Sequence, residues 1–241
     1  MIELTNLKCE FDNRVILDGV SLRIENHLSI LGANGSGKST LAKAICGLIT
    51  CEGEIKINSK TLQELSLKER AKTISYIPAK LEIYDHFITV REFVLLGRFP
   101  YKQSFFDYEQ RDKNIVTQTL EFLKISHLAS HSVSSLSSGE QQLLLVAQAL
   151  AQQSQIIIFD EPTANLDPHN SKIIAEHIKG LKEYHQIILI THDLHLACYV
   201  DSPIAFIKDK KAHYYEREFF QDETLQELYG VEFSALAVKY A

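Results

Sequence analysis

The segment Gly32-Ala33-Asn34-Gly35-Ser36-Gly37-Lys38-Ser39-Thr40 constrains this chain more than any other. It matches the pattern G-x-x-x-x-G-K-[ST]. Its glycines let the backbone curl until successive N–H groups point inward at a phosphate, and Lys38 adds a compact positive charge. Such a loop is credible only between a strand and a helix. His27-Leu28-Ser29-Ile30-Leu31 supplies a short apolar run before it. Leu41, Ala44, Ile45 and Leu48 supply helical spacing over Thr40 to Leu48 after it. The new helix turns its positive dipole end toward the loop, and Ser39 carries a hydroxyl suited to Mg²⁺.

A second constraint is Ile156-Ile157-Ile158-Phe159-Asp160-Glu161. Four apolar residues suit a strand buried on both faces, and two carboxylates follow at its C-terminal end, where open α/β sheets bind ligands. Asp160 is placed to hold Mg²⁺, and Glu161 to polarise water as a general base. Ile187-Ile188-Leu189-Ile190 reads as another buried strand, with helical spacing over Lys172 to Tyr184 between the two. Before the loop, alternating apolar and polar residues read as antiparallel strands separated by turns at Asp12-Asn13 and Asp18-Gly19. Between about Glu82 and Ala151 the pattern becomes helical, over Thr89 to Leu96, Asp107 to Leu123 and Gly139 to Gln152. A helical part therefore interrupts an α/β core. Lys208-Asp209-Lys210-Lys211 reads as an exposed hairpin turn.

Leu136-Ser137-Ser138-Gly139-Glu140-Gln141-Gln142 opens the last of those helices and closely resembles the LSGGQ or LSGGE signature of the ATP-binding cassette family. The other family segments follow in order. The resemblance implies an α/β P-loop NTPase core with an antiparallel β subdomain and an inserted α-helical subdomain. Within one domain over 1–241, it implies a core of 1–81 with 153–241 and a helical signature part of 82–152. It implies ATP and Mg²⁺ as ligands. Gly32, Asn34, Gly35, Ser36, Gly37, Lys38, Ser39 and Thr40 would hold the phosphates, and Phe11 would stack on adenine. Ser39 and Asp160 would hold the metal, and Glu161 and His192 of Thr191-His192-Asp193 would act on the water and γ-phosphate. Ser137, Ser138, Gly139 and Glu140 would close over the nucleotide of a second copy, and Asp167 of Ala164-Asn165-Leu166-Asp167 would cross that interface.

Two departures stand out. Ser138 replaces the first signature glycine, and Ala79 ends Ile74-Ser75-Tyr76-Ile77-Pro78-Ala79 where the family carries a glutamine that helps coordinate metal and water. The Ala79 side chain has no polar group for that task.

Thr89-Val90-Arg91-Glu92-Phe93-Val94-Leu95-Leu96-Gly97-Arg98-Phe99-Pro100-Tyr101 is similar to a stretch of the ATPase subunits of iron–siderophore, haem and cobalamin importers. The resemblance implies a homodimer with two shared ATP sites, docked on transmembrane permease subunits fed by a substrate-binding protein. Zinc and manganese importers, or a regulatory cassette with weak hydrolysis, are the alternatives within the family. A soluble cassette of DNA repair or translation is the alternative outside transport.

The net charge of −6 argues against nucleic acid as a partner. No run approaches the roughly 18 to 20 apolar residues of a membrane span, and the N-terminus lacks a secretory signal, so the chain is expected in the cytoplasm. The resemblance to importer subunits implies a peripheral place on the membrane's inner face, docked on the permease. Cys9, Cys46, Cys51 and Cys198 read as small buried hydrophobes in a reducing compartment, Cys46/Cys51 being the one spacing suggestive of metal ligands.

Overall fold

A computed structural model describes residues 1–82, 85, 87–102, 108–230 and 240, without the side chain of Arg217. The chain opens with a long hairpin, β1 (Ile2–Phe11) and β2 (Arg14–Ile24). Asp12 and Asn13 both hold positive φ, 49° and 60°, the geometry that a two-residue turn needs to match strand twist. The second expected turn, at Asp18-Gly19, is not one. Both residues lie inside β2, where the pairing with β1 slips between Leu7↔Val20 and Cys9↔Leu17. Gly19 therefore marks an irregularity in a continuous strand.

After β3 (Leu28–Gly32) and α1 (Lys38–Ile45), β4 (Glu52–Ile57) pairs antiparallel with β1, and β5 (Lys60–Thr61) completes a sheet of order β2-β1-β4-β5. The Lys8↔Glu52 pairing brings Cys9 beside Cys51, and the two form a disulfide. This corrects the sequence expectation of four separate thiols, since Cys46 and Cys198 alone are free. The Cys46/Cys51 spacing, singled out only as suggestive of metal ligands, does not pair those two; strand register sets Cys51 against Cys9 instead.

Next come α2 (Leu67–Thr73), β6 (Ile74–Ile77), and the helices α3 (Val90–Leu96), α4 (Gln110–Phe122) and α5 (Ser138–Ala151). The described part of the expected Asp107–Leu123 helix starts at Gln110, and Asp107 itself lies outside the described residues. Capping boxes at Thr89/Glu92 and Ser137/Glu140 start α3 and α5. Arg98, 2% exposed, fastens this helical part together. Its guanidinium donates to Asp112 Oδ1 (2.8 Å), to the Ala151 carbonyl (2.8 Å) and to Gln153 Oε1 (2.9 Å), and lies over the Tyr101 ring.

The chain returns to the core through β7 (Ile156–Asp160), α6 (Pro168–Leu181), β8 (Gln186–Ile190) and α7 (Leu194–Val200). It continues with β9 (Ile204–Lys208), β10 (Lys211–Tyr215) and α8 (Asp222–Tyr229). The Asp209-Lys210 turn joins β9 to β10 as an exposed hairpin, as expected, and its Lys210 carbonyl accepts from Asp18 N–H at 2.9 Å.

The second sheet has the order β10-β9-β3-β8-β7-β6, parallel except for β10. Its central strands are apolar on both faces because both are covered. Ile157, Phe159, Ile187 and Leu189 pack with the helical part. Ile156, Ile158, Ile188 and Ile190 pack with α1 and the antiparallel sheet. The order makes β3, β8, β7 and β6 neighbours, so everything that follows their C-terminal ends gathers on one edge.

Candidate functional site

The loop 32–37 leaves β3 on that edge and feeds α1. Gly37 has φ 106°, and a Cβ there would meet Leu17 Cδ2 at 2.9 Å and Ile16 Cγ2 at 3.0 Å. The hairpin of the antiparallel sheet thus presses directly against the start of α1, and only glycine fits between. Lys38 is buried and folds back over the loop. Its Nζ donates to the carbonyls of Gly32 (2.9 Å) and Ala33 (3.0 Å) and lies 3.8 Å from Glu161 Oε1.

Parallel pairing sets Asp160 beside Ile190. Asp160 is 3% exposed, so its carboxylate needs partners. Ser39 Oγ donates to Oδ1 at 3.0 Å and Tyr76 Oη donates to Oδ2 at 2.6 Å. Burial, followed by this bond to Asp160, pushes the Tyr76 phenol well above its usual range, which keeps it a donor. Burial and the charge of Asp160 push the nearby Cys46 thiol up to about 12. Two oxygens of hard character, a hydroxyl and a carboxylate, converge here, a donor set that suits Mg²⁺.

Glu161 turns off the strand with φ 49°, a left-handed conformation that costs about 1 to 2 kcal/mol in a non-glycine residue. Its N–H donates to the Ile190 carbonyl (2.8 Å), which locks the turn to β8. The side chain then faces His192, directly beyond Thr191. His192 Nδ1 lies 2.8 Å from Glu161 Oε2, and its backbone N–H donates to the same oxygen at 3.3 Å. Gly32, Lys38, Ser39, Asp160, Glu161 and His192 thus form one connected constellation at the ends of three adjacent strands. Asn34, Gly35, Ser36 and Thr40 lie on the same loop and helix start.

Phe11 stands at the end of β1 with its ring 69% exposed, a free aromatic face. Ser137 caps α5, and its N–H (2.8 Å) and Oγ (2.7 Å) both donate to Glu140 Oε2, which holds the Glu140 carboxyl below its usual range. A Cβ on Gly139 would meet the Asn170 amide at 2.6 Å, so the start of α5 abuts the first turn of α6. Asp167 caps α6 and accepts from the N–H groups of His169 (2.9 Å) and Asn170 (3.0 Å). Among the described residues, no hydrogen bond joins 137–140 to 32–40. Ala79 is exposed, just beyond β6. Sequence reasoning missed Tyr76 and Asn170. A phenol on the short strand before Pro78 was the one available signal for the first, and nothing pointed to the second.

Comparisons with known proteins point to one family. The chain is 33% identical over 217 residues to a Helicobacter pylori protein named "Probable iron chelatin transport ATP-binding protein", covering 88% of this chain and 85% of that one. It is 32% identical over 235 residues to a manganese transport system ATP-binding protein of Listeria monocytogenes, covering 95% and 96%. A bacterial ABC transporter cassette solved as a dimer superposes with a TM-score of 0.76 at 28% identity, covering 88% of this chain and 97% of that one. A metal-chelate type ABC transporter in an inward-facing conformation has the same fold, with a TM-score of 0.83 at 24% identity over 96% and 89%. The model of the ABC transporter family matches residues 17–164. With the phosphate loop, the paired carboxylates and the cassette fold in one chain, the protein belongs to the ABC transporter family, as an ATP-binding ATPase subunit.

Proposed function

We propose that the chain powers an importer for an iron–siderophore, haem or related metal chelate, hydrolysing ATP at two sites shared by two copies. The observation that carries the catalytic part is the chain of contacts Lys38–Glu161–His192 beside Ser39–Asp160, at one edge of adjacent strands. Lys38 and the amides of residues 34–40 take the phosphates, and Phe11 takes the adenine. Ser39 and Asp160 hold Mg²⁺, which when bound neutralises charge on the transferring phosphoryl group. Glu161 orients and polarises the water, with His192 fixing the carboxylate and reaching the terminal phosphate.

The start of α5 supplies the remaining donors. Ser137, Ser138, Gly139 and Glu140 of one copy close over the nucleotide of the other, and Asp167 lines the contact between copies. Closure is favoured by ATP because only the closed state makes these contacts. The helical part, 82–152, moves with the permease while 1–81 and 153–241 hold the nucleotide. No helix among the described residues is long and apolar enough to cross a membrane. That agrees with a subunit docked peripherally, at the cytoplasmic side, on separate permease subunits served by a substrate-binding protein.

The names of the relatives support metal import in general, and the stretch Thr89–Tyr101 favours the chelate branch. Manganese or zinc import is the second reading, favoured by the Listeria relative. Steady-state hydrolysis by the wild type and Glu161→Gln, each with its permease, tests the enzymatic part. Turnover is expected in the wild type and a loss of about 10² to 10⁴-fold in the variant, with nucleotide still bound. A wild type that fails to turn over overturns the reading in favour of a regulatory cassette. Uptake of a ferric chelate against free Mn²⁺ by the same complex in vesicles decides the branch.

A further inference from the structure

We infer that Tyr76 is the positioning residue for Asp160, fixing from β6 the carboxylate that holds the metal. The inference deepens the proposed function and rests on its assignment of Asp160. One hydrogen bond to a carboxylate leaves its last torsion some latitude, and a second on the other oxygen removes it. Ser39 Oγ engages one oxygen at 3.0 Å, from the phosphate loop, and Tyr76 Oη engages the other at 2.6 Å, from the far side. The second bond has the short length of a hydroxyl donating to a charged oxygen.

Register brings the two groups within reach. Tyr76 pairs with Ile158, two residues before Asp160, so its side chain shares a sheet face with Ile158 and Asp160 and its long ring reaches forward along the strand. The ring is half-buried against the core behind α1, which limits its rotamers. Two anchors on opposite oxygens leave the carboxylate one orientation, and outer partners of this kind set the geometry and affinity of a metal ligand. Ala79, three residues on, is exposed and offers no polar atom to share the task. Tyr76 is therefore the group by which the segment 74–79 acts on the metal site.

Mn²⁺ replacing Mg²⁺ in the full-length protein gives a direct readout by electron paramagnetic resonance, with ADP present. Nucleotide affinity in EDTA is measured alongside. Tyr76→Phe is expected to weaken Mn²⁺ binding about 10 to 100-fold, and Tyr76→Met, which removes the same donor with a different shape, to do likewise. Metal-free nucleotide affinity stays as in the wild type. Combined with Asp160→Asn, Tyr76→Phe adds no further loss, because it acts through that carboxylate. Unchanged Mn²⁺ affinity in the Tyr76 variants overturns the inference, as does an equal loss of metal-free binding or an additive double variant. Mn²⁺ affinity that survives Asp160→Asn instead overturns the metal assignment of Asp160 itself, and Tyr76's role falls with it.

Discussion

Lys38 shows how a single residue prepares the site. Its ammonium is buried, and two carbonyls of its own loop, Gly32 and Ala33, hold it at 2.9 and 3.0 Å, with Glu161 at 3.8 Å. The charge is thus already desolvated and aimed before a phosphate arrives, so little ordering remains to be done on binding. Removing one member of a buried charge contact costs about 2 to 5 kcal/mol. Lys38→Ala is therefore expected to weaken ATP at least about thirtyfold, measured by calorimetric titration. Unchanged affinity would remove the phosphate loop from the argument. The same variant leaves Glu161 in contact with His192 alone, so the carboxylate keeps its orientation while the phosphate grip is lost.

At the scale of elements, the sequence carried what is periodic and local. The loop between β3 and α1, the buried strands β7 and β8, and helices α5 and α6 follow from spacing and caps within about fifteen residues. What escaped depends on the neighbour. Asp18-Gly19 has the composition of a turn, but pairing with β1 carries the strand straight through it. Cys9 meets Cys51, and Tyr76 meets Asp160 across 84 positions, because registers set far away bring them level. Arg98 belongs to this class as well. In the sequence it is one letter of a stretch that resembles importer subunits, and in the structure it ties the end of α3 to α4 and to the chain leaving α5. Arg98→Ala leaves Asp112 Oδ1 and the Ala151 carbonyl buried without the guanidinium donor and is expected to cost about 3 to 5 kcal/mol in chemical denaturation. Pairing Arg98→Met with Asp112→Leu removes both charges and should recover much of that loss. A double variant as unstable as the single one would show that the carbonyl bonds, not the ion pair, carry the staple.

On the proposed function, the whole molecule is half of a machine. Its phosphate loop and its signature helix start from different layers, without a hydrogen bond between them among the described residues, and α5 opens at Ser137 with donors that Glu140 now occupies. A second copy related by a two-fold axis would bring each signature to the other copy's phosphate loop. This arrangement predicts complementation. Lys38→Ala destroys the phosphate grip but keeps the signature, whereas Gly139→Asp drives a side chain into the Asn170 amide and displaces the start of α5, which must face the terminal phosphate. Each homodimer is then inactive, but a mixed dimer combines the intact loop of one copy with the intact signature of the other. In an equimolar mixture about half the dimers are mixed and each holds one working site, so hydrolysis should return to about a quarter of wild type if sites act independently. Coupled sites would give less, and the shortfall measures how strongly one closure depends on the other. A mixture as inactive as its components, despite proven exchange of subunits, would mean either that the signature serves its own chain's nucleotide or that one intact site is not enough. A tandem fusion of the two variants, compared with a fusion carrying Lys38→Ala in one half only, tells these apart. The second keeps an intact loop facing an intact signature under any sharing between copies, and activity there with none in the first would place the signature in cis.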